Sequence, residues 1–195
     1  MGGLTYVVLG SVSQPPANGT LAAFPRSIAR AGALYRARVA AIMQVKTEFF
    51  CLIDGGPDAL LSGFEVSVNA RIAELRASGK AIAYADSFTG DVRVHAGEYS
   101  EDAYQRNPIM IHAGTVCRTA TAQAIAWPAG CHWFEAVCYG TLARQGFIYR
   151  PDPVYQWIPT ADGAHLWADT ARAMVNSLLW LQGLPGVHFR KDFED

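Results

Sequence analysis

The sequence feature that most constrains the fold is a short apolar run that ends on an acid. Residues 49–53 are five consecutive apolar residues, and Asp54 with a Gly-Gly-Pro turn follows them directly. A run of this length, rich in β-favouring side chains, predicts a strand buried on both faces, as in a parallel sheet covered by helices. The glycines and the proline force the chain out of the strand. The stretch therefore predicts an α/β fold with Asp54 at the carboxyl end of an interior strand.

Asp54 has two interpretations. Ligands of open α/β sheets bind at the carboxyl edge of the strands, so a carboxylate there can hold a divalent cation. Asp58 is close enough in the turn to assist. Alternatively, Asp and Gly end the strand only because both residues favour turns. The stretch taken alone leaves both interpretations open.

The composition limits the remaining choices. The chain of 195 residues is 51% hydrophobic and 17% charged, which is typical of one globular domain with a substantial core. Its net charge is −1 and it has no basic run, so strong electrostatic binding to duplex nucleic acid is not indicated. None of its four cysteines forms a CxxC pair, and no secretory signal or membrane-length apolar run is visible. We therefore expect a single domain over residues 1–195 in a reducing, cytoplasmic compartment.

Strands alternate with helices through the first half of the chain. The predicted strands cover residues 4–12, 49–54, 81–85, 107–116 and 147–149, and the predicted helices cover 22–44, 60–78, 134–145 and 166–181. This alternation predicts an α/β layer fold with a mostly parallel sheet. The polar face of the last helix is not rich in lysine, so packing or homo-oligomerisation is favoured over membrane binding.

A resemblance to a known family begins just before the central strand. Residues 37–54 run from Ala-Arg-Val-Ala-Ala-Ile-Met through Lys-Thr-Glu-Phe-Phe to Leu-Ile-Asp. This succession resembles the family 2 glycosyltransferases, in which a helix with an Ala-Arg-Asn pattern leads into a strand that ends in a DxD motif. Val39 stands in place of the Asn. Gly56 stands in place of the second Asp of a degraded DxD motif, with Asp58 two positions later.

The resemblance continues in the second half of the chain. Family members carry a Glu-Asp pair at the start of a short helix, about eleven residues before a Gly, and then a strand and a tyrosine-containing segment. Glu135 has the spacing to Gly146 that places it at the position of the family's Asp. Residues 147–157 continue the pattern, and His165 follows where several members place a metal-binding His.

The beginning of the chain departs from the family pattern. Family members begin with two strands and a helix that bind the nucleobase, and an acidic segment belongs to this half. Here only one strand, over residues 4–12, is predicted before the helix that contains Arg38, because residues 22–44 are interpreted as largely helical. The resemblance therefore implies a shortened nucleobase-binding half.

The resemblance implies a fold, an activity and a set of site residues. The fold would be a GT-A-like three-layer α/β/α domain with a mostly parallel central sheet, as in nucleotide-diphospho-sugar transferases. The activity would be inverting transfer of a sugar from a nucleotide-sugar donor, such as a UDP-sugar, to an acceptor hydroxyl, with Glu135 as general base. Asp54, Asp58 and His165 would hold Mn²⁺ or Mg²⁺ beside the departing diphosphate. Arg38 would join Asp54 and Asp58 in binding the donor.

Other functions stay open at this point. The missing second Asp and the shortened first half favour a catalytically inactive GT-A-like binding module. A nucleotidyltransferase is a further rival, although no glycine-rich phosphate loop follows the first strand. Glu135 is also explained as a solvated carboxylate at a helix N-terminus. The acceptor stays open among glycan, lipid, protein, small molecule and modified nucleic-acid base. Aromatic candidates for an acceptor pocket, all of which could equally be core residues, are Trp127, Trp133, Tyr155 and Trp157.

Overall fold

One mixed sheet of seven strands organises the described part of the chain. The structure is a computed structural model, and it describes residues 3–9, 16–17, 19–24, 31–54, 60–107, 111, 114–128, 133–157, 175 and 177–183. The strands are β1 (Leu4–Leu9), β2 (Thr20–Phe24), β3 (Phe49–Asp54), β4 (Ile82–Thr89), β5 (Val92–Val94), β6 (Val116–Arg118) and β7 (Phe147–Trp157). The helices are α1 (Ala31–Gln44), α2 (Phe64–Ser78), α3 (Glu101–Arg106), α4 (Thr119–Gln123) and α5 (Phe134–Arg144).

The strand directions make the sheet mostly parallel, as the sequence predicts. The order is β2-β1-β3-β6-β4-β5, and β7 also pairs with β4. Strands β1, β2 and β3 are parallel, β6 is antiparallel to both β3 and β4, and β4 is parallel to β7. Strand β5 is antiparallel to β4, so five of the seven described strands point the same way, and β5 and β6 run in the opposite direction.

Strand β3 lies in the interior of this sheet. It pairs with β1 over its whole length and with β6 on its other edge. All five apolar residues of the run 49–53 are fully buried. The prediction of an interior strand with Asp54 at its carboxyl end is confirmed.

Helices cover both faces of the sheet, because the side chains of successive strand residues point to opposite sides. Phe50 and Leu52 pack in a cluster with residues of α1 and α5. Phe49, Cys51 and Ile53 pack in a second cluster with residues of α2. The fold is therefore the predicted three-layer α/β/α arrangement. Helix α2 ends where the sequence indicates, at Gly79, whose φ of 70° and N–H bond to the Leu75 carbonyl form a left-handed cap.

The prediction of helix from residue 22 is wrong at its start. Residues Thr20–Phe24 form strand β2, which pairs in parallel with β1 from Thr5↔Thr20 to Leu9↔Phe24. The edge of β1 offers this segment a backbone partner, and such pairing overrides a weak local preference for helix. Two strands therefore precede α1, and the expectation of a single strand is also wrong.

Two other predicted elements lie partly outside the described residues. Much of the predicted strand 107–116 lies outside the described residues, and the strand next to β3 is β6, which begins only at Val116. Of the predicted helix 166–181, the described residues 175 and 177–181 are helical. Within the ranges that the structure describes, no helix is long and apolar enough to cross a membrane.

Candidate functional site

The carboxyl edge of the sheet brings Asp54 and Glu135 to the same end of the molecule. Asp54 ends β3 beside Leu9, the last residue of β1. The N–H of Ala81, just before β4, donates to the carbonyl of Gly146, just after α5, at 3.0 Å. Helix α5 therefore ends at the amino edge. Because its 11 residues span about 16 Å, its first turn, with Glu135, lies toward the carboxyl edge.

Glu135 forms an ion pair with Arg38 of α1. Arg38 Nη1 donates to Glu135 Oε1 at 2.5 Å, and the two side chains are 6% and 19% exposed. The bond joins a charged donor to a charged acceptor, which makes it one of the stronger kinds of hydrogen bond in proteins. The structure thus brings together two predicted site residues that are 97 positions apart in sequence.

A series of aromatic contacts extends from this ion pair. The Arg38 guanidinium lies over the Phe134 ring, 5.5 Å from its centroid. Trp127 stacks on Phe134 with a centroid distance of 5.5 Å and an interplanar angle of 14°. Tyr35 of α1 contacts Trp127 edge-on and donates to the Pro128 carbonyl at 3.0 Å. These contacts connect α1 to α5 through residues 127–128, which precede α5 in the chain.

The predicted aromatic pocket is only partly assembled in the structure. Trp127 stacks on Phe134, the ring over which Arg38 lies, and is half-buried, as is Trp133 at the start of α5. Tyr155 is buried in the cluster under α2, on the opposite face of the sheet from Glu135, so it is a core residue. The backbone of Trp157 ends β7, and its side chain lies outside the described part of the chain.

The backbone of Glu135 is held by helix α3. Tyr104 Oη donates to the Glu135 carbonyl at 2.8 Å. Tyr104 is fully buried, and this burial raises the pKa of its phenol well above the ordinary value. Ser100 caps α3 by accepting from the N–H of Ala103 at 3.1 Å. A capped helix with a neutral, buried phenol thus fixes the first turn of α5.

A second carboxylate, Asp86, lies level with Asp54, inside strand β4 and not in a turn. Val116 of β6 pairs with Cys51 on one side and with Ala83 on the other. Because β3 and β4 run in the same direction, Asp86, three residues after Ala83, is at the same level of the sheet as Asp54.

The Asp86 side chain is fully buried and receives hydrogen bonds on both oxygens. Oδ1 accepts from Tyr149 Oη at 2.7 Å and from the N–H of Ala96 at 2.9 Å. Oδ2 accepts from Arg93 Nε and Nη2 at 3.0 and 2.9 Å, and His95 Nδ1 lies 2.9 Å from it. Burial acts to raise the pKa of Asp86, but the bonds from Tyr149, Ala96 and Arg93 outweigh it and leave that pKa below the ordinary value. Asp86 is therefore an ionised clamp between β4, β5 and β7. The sequence signal for this cluster is the pair of basic residues Arg93 and His95, which follow Asp86 across a tight turn.

The predicted metal ligands fall largely outside the described residues. Asp58 and His165 are both outside them, and only the backbone of Asp54 is described. Among the side chains that are described, no group of three or more His, Cys, Asp or Glu could hold a metal ion. The metal site stays a prediction.

Comparison with known proteins identifies the fold. No protein-family model and no curated protein matches the chain. Solved structures do match. Glucosyl-3-phosphoglycerate synthase from Mycobacterium tuberculosis is 13% identical with a TM-score of 0.57, and the match covers 94% of this chain and 81% of that one. The chain has the GT-A fold.

Two further structures agree with this fold. Mannosyl-3-phosphoglycerate synthase from Rubrobacter xylanophilus is 10% identical with a TM-score of 0.56, over 95% of this chain and 77% of that one. Residues 1–349 of TarS from S. aureus are 10% identical with a TM-score of 0.56, over 91% of this chain. This GT-A chain spans 65% of that TarS chain. The M. tuberculosis neighbour was crystallised with Mn²⁺, UDP-glucose and glycerol 3-phosphate.

Proposed function

We propose that this GT-A chain, as one domain over residues 1–195, is an inverting glycosyltransferase. It transfers a sugar from a nucleotide-sugar donor, such as a UDP-sugar, to an acceptor hydroxyl. The observation that carries this proposal is the arrangement of the GT-A sheet. Asp54 ends the interior strand β3 at the carboxyl edge of the sheet. Glu135 lies in the first turn of α5, which is directed toward the same edge. Ligands of open α/β sheets bind at this edge, and a related fold holds UDP-glucose and Mn²⁺ in the mycobacterial neighbour.

Glu135 is the general base in this mechanism. Its Oε1 is occupied by Arg38, so Oε2 takes the proton of the acceptor hydroxyl. The acceptor oxygen attacks the anomeric carbon from the side opposite the leaving group. The bond from that carbon to the β-phosphate oxygen breaks, and its electron pair leaves with the nucleoside diphosphate. The configuration at the anomeric carbon is inverted, and the proton rests on Glu135 until solvent removes it.

Asp54, Asp58 and His165 are the residues that would hold Mn²⁺ or Mg²⁺. Carboxylates suit both ions, and an imidazole is a ligand that Mn²⁺ accepts. The position of Asp54 at the carboxyl end of β3 fits such a site. When bound, the ion supplies positive charge against the charge that develops on the departing diphosphate.

The cysteines support the proposed reducing, cytoplasmic setting. Cys51, Cys117 and Cys138 are free and buried. Burial raises the pKa of the Cys51 thiol to about 12, so it packs as a small hydrophobic group and is not a nucleophile.

Thermal unfolding in the presence of ligands tests the proposal. We expect UDP and UDP-glucose to raise the melting temperature, and Mn²⁺ to increase the shift, because a ligand that binds only the folded state stabilises it. The absence of binding at millimolar UDP and UDP-sugars, with and without Mn²⁺, would contradict the proposal. The alternative of an inactive GT-A-like binding module, which Gly56 in place of the second Asp favours, would then stand.

A further inference from the structure

We infer that Arg38 is a positioning residue for the base Glu135 and is not a ligand of the donor diphosphate. This inference rests on the proposed function, and it revises the role that the family resemblance implies for Arg38. The burial of the Arg38 side chain and its bond to Glu135 carry this inference.

The guanidinium of Arg38 is in contact with both the Glu135 carboxylate and the Phe134 ring. Nη1 donates to Glu135 Oε1 at 2.5 Å, and the Phe134 ring centroid lies 5.5 Å from Cζ. The side chain is only 6% exposed. A long cationic side chain that is this buried occupies one position, and its planar fork is already directed at a carboxylate.

The aromatic stack keeps the guanidinium in this position. Phe134 has Arg38 over its ring and Trp127 stacked parallel to it, and Tyr35 contacts Trp127 at an angle of 70°. Phe134 is itself 1% exposed. Sliding Arg38 toward a phosphate would therefore disturb a packed aromatic group as well as an ion pair.

The backbone and the side-chain carboxylate of Glu135 are held by two different residues. Tyr104 holds the carbonyl at 2.8 Å, and Arg38 holds Oε1. Oε2 has no hydrogen-bond partner among the described residues, so it is the oxygen that is offered to the acceptor. Holding a reacting atom within about 1 Å of its productive place is worth roughly 10²-fold in rate.

Moving Arg38 to the diphosphate would leave this carboxylate uncompensated. Breaking a buried ion pair by removing one partner is strongly unfavourable, because the remaining charge stays buried without a counter-charge. The same enclosure that orients Glu135 thus excludes Arg38 from donor binding.

The test compares wild type with Arg38→Met, Arg38→Lys and a control, Arg76→Met. Arg76 also forms an ion pair with a glutamate, Glu48, at 2.8 Å, but it lies near the C-terminal end of α2. The dissociation constant of UDP is measured with Mn²⁺ by calorimetry, and UDP release is measured with the most active of UDP-glucose, UDP-galactose and UDP-N-acetylglucosamine. Rates are expressed per folded protein, determined by circular dichroism.

We expect both Arg38 variants to bind UDP within about 2-fold of wild type. We expect Arg38→Met to lower kcat by about 10²-fold with an unchanged KM for the donor. Arg38→Lys should restore part of that loss, and Arg76→Met should match wild type.

Weaker UDP binding by 10-fold or more in both Arg38 variants, or an unchanged kcat in them, would overturn the inference and leave the proposed function standing. Failure of wild type to bind UDP would overturn the proposed function and the inference together. If Arg38→Met does not fold, Arg38→Lys, which keeps the charge, decides between these outcomes through the same two measurements.

Discussion

At the scale of single residues, Glu135 combines an ion pair with Arg38 and a proposed role as general base. The carboxylate that the proposed mechanism uses as a base also compensates a guanidinium that is almost completely buried. Activity and stability are therefore coupled at this position, and a substitution that removes the base also removes the counter-charge of Arg38.

We expect Glu135→Gln to lower sugar transfer by about 10²–10⁴-fold, because the amide keeps the shape of the side chain but cannot take a proton. We also expect it to lower the free energy of unfolding by roughly 3–5 kcal/mol, because Arg38 stays buried without its counter-charge. Urea unfolding followed by circular dichroism measures this loss. The double variant Arg38→Met with Glu135→Gln should be more stable than the sum of the two single losses predicts, and simple additivity would contradict a direct interaction.

At the scale of secondary-structure elements, close contacts between helices hold the first turn of α5. A Cβ added at Gly140 would lie 2.8 Å from Tyr104 Cε1 and 3.0 Å from Leu181 Cδ1. Glycine at this helical position therefore permits α3 to approach α5, and the same approach lets Tyr104 reach the Glu135 carbonyl.

We expect Gly140→Ala to destabilise the protein by about 1–3 kcal/mol through overpacking, even though alanine favours a helix over glycine by about 1 kcal/mol. Thr141→Ala on the same helix is the matched control, and it should be neutral or stabilising. Its hydroxyl is buried without a hydrogen-bond partner, so its removal leaves no donor or acceptor unpaired. Thermal unfolding of both variants measures the difference, and a stabilised Gly140→Ala would contradict the close approach of α3.

The clamp at Asp86 joins three strands, and its effect on stability depends on pH. The pKa of Asp86 is depressed below its ordinary value of 3.8 in the folded protein. The contribution of ionised Asp86 to the free energy of unfolding is therefore complete above about pH 3.8. It is lost as the pH falls through the lower pKa of Asp86 in the folded protein. We expect Asp86→Asn to be less stable than wild type by a constant amount near neutral pH, and the two proteins to converge in strong acid. Urea unfolding across this range measures the difference. A difference that grows as the pH falls would show that the carboxylate is not ionised in the native state.

At the scale of the whole molecule, parallel strands place the candidate groups at one edge of the sheet. Strands β1, β3, β4 and β7 all end on this side, and the N-terminal turn of α5 points to it. The donor and its metal ion are proposed to bind here, so a change at Asp54 should act through ligand binding and not through folding.

We expect Asp54→Asn to weaken UDP binding chiefly when Mn²⁺ is present, because the change removes a proposed ligand of the ion. For a ligand at 100 times its dissociation constant, stabilisation of the folded state is about 2.7 kcal/mol. Loss of most of this stabilisation is the expected result in a thermal shift experiment. Asp152→Asn, at an exposed position of β7, is the control. An equal Mn²⁺-dependent shift in wild type and Asp54→Asn would remove Asp54 from the metal site.

The sequence by itself determined the elements whose signals are local. Five apolar residues before an acid and a Gly-Gly-Pro turn predicted β3 and the place of Asp54, because an apolar run of strand length must be buried on both faces. Gly79 marked the end of α2, and the spacing before Gly146 marked the start of α5 near Glu135. These features depend on periodicity and backbone conformation within a few residues, which a sequence displays directly.

Tertiary structure alone decided the features that depend on partners far away in the chain. Residues 20–24 became a strand because β1 offers them a backbone edge, and no local pattern reports such an edge. The contact of Arg38 with Glu135 and the enclosure of Asp86 bring charges together from separate elements. The sequence showed that these charges exist. Only the packing of the elements decided which of them would be buried, and a buried charge needs a specific partner that an exposed one does not.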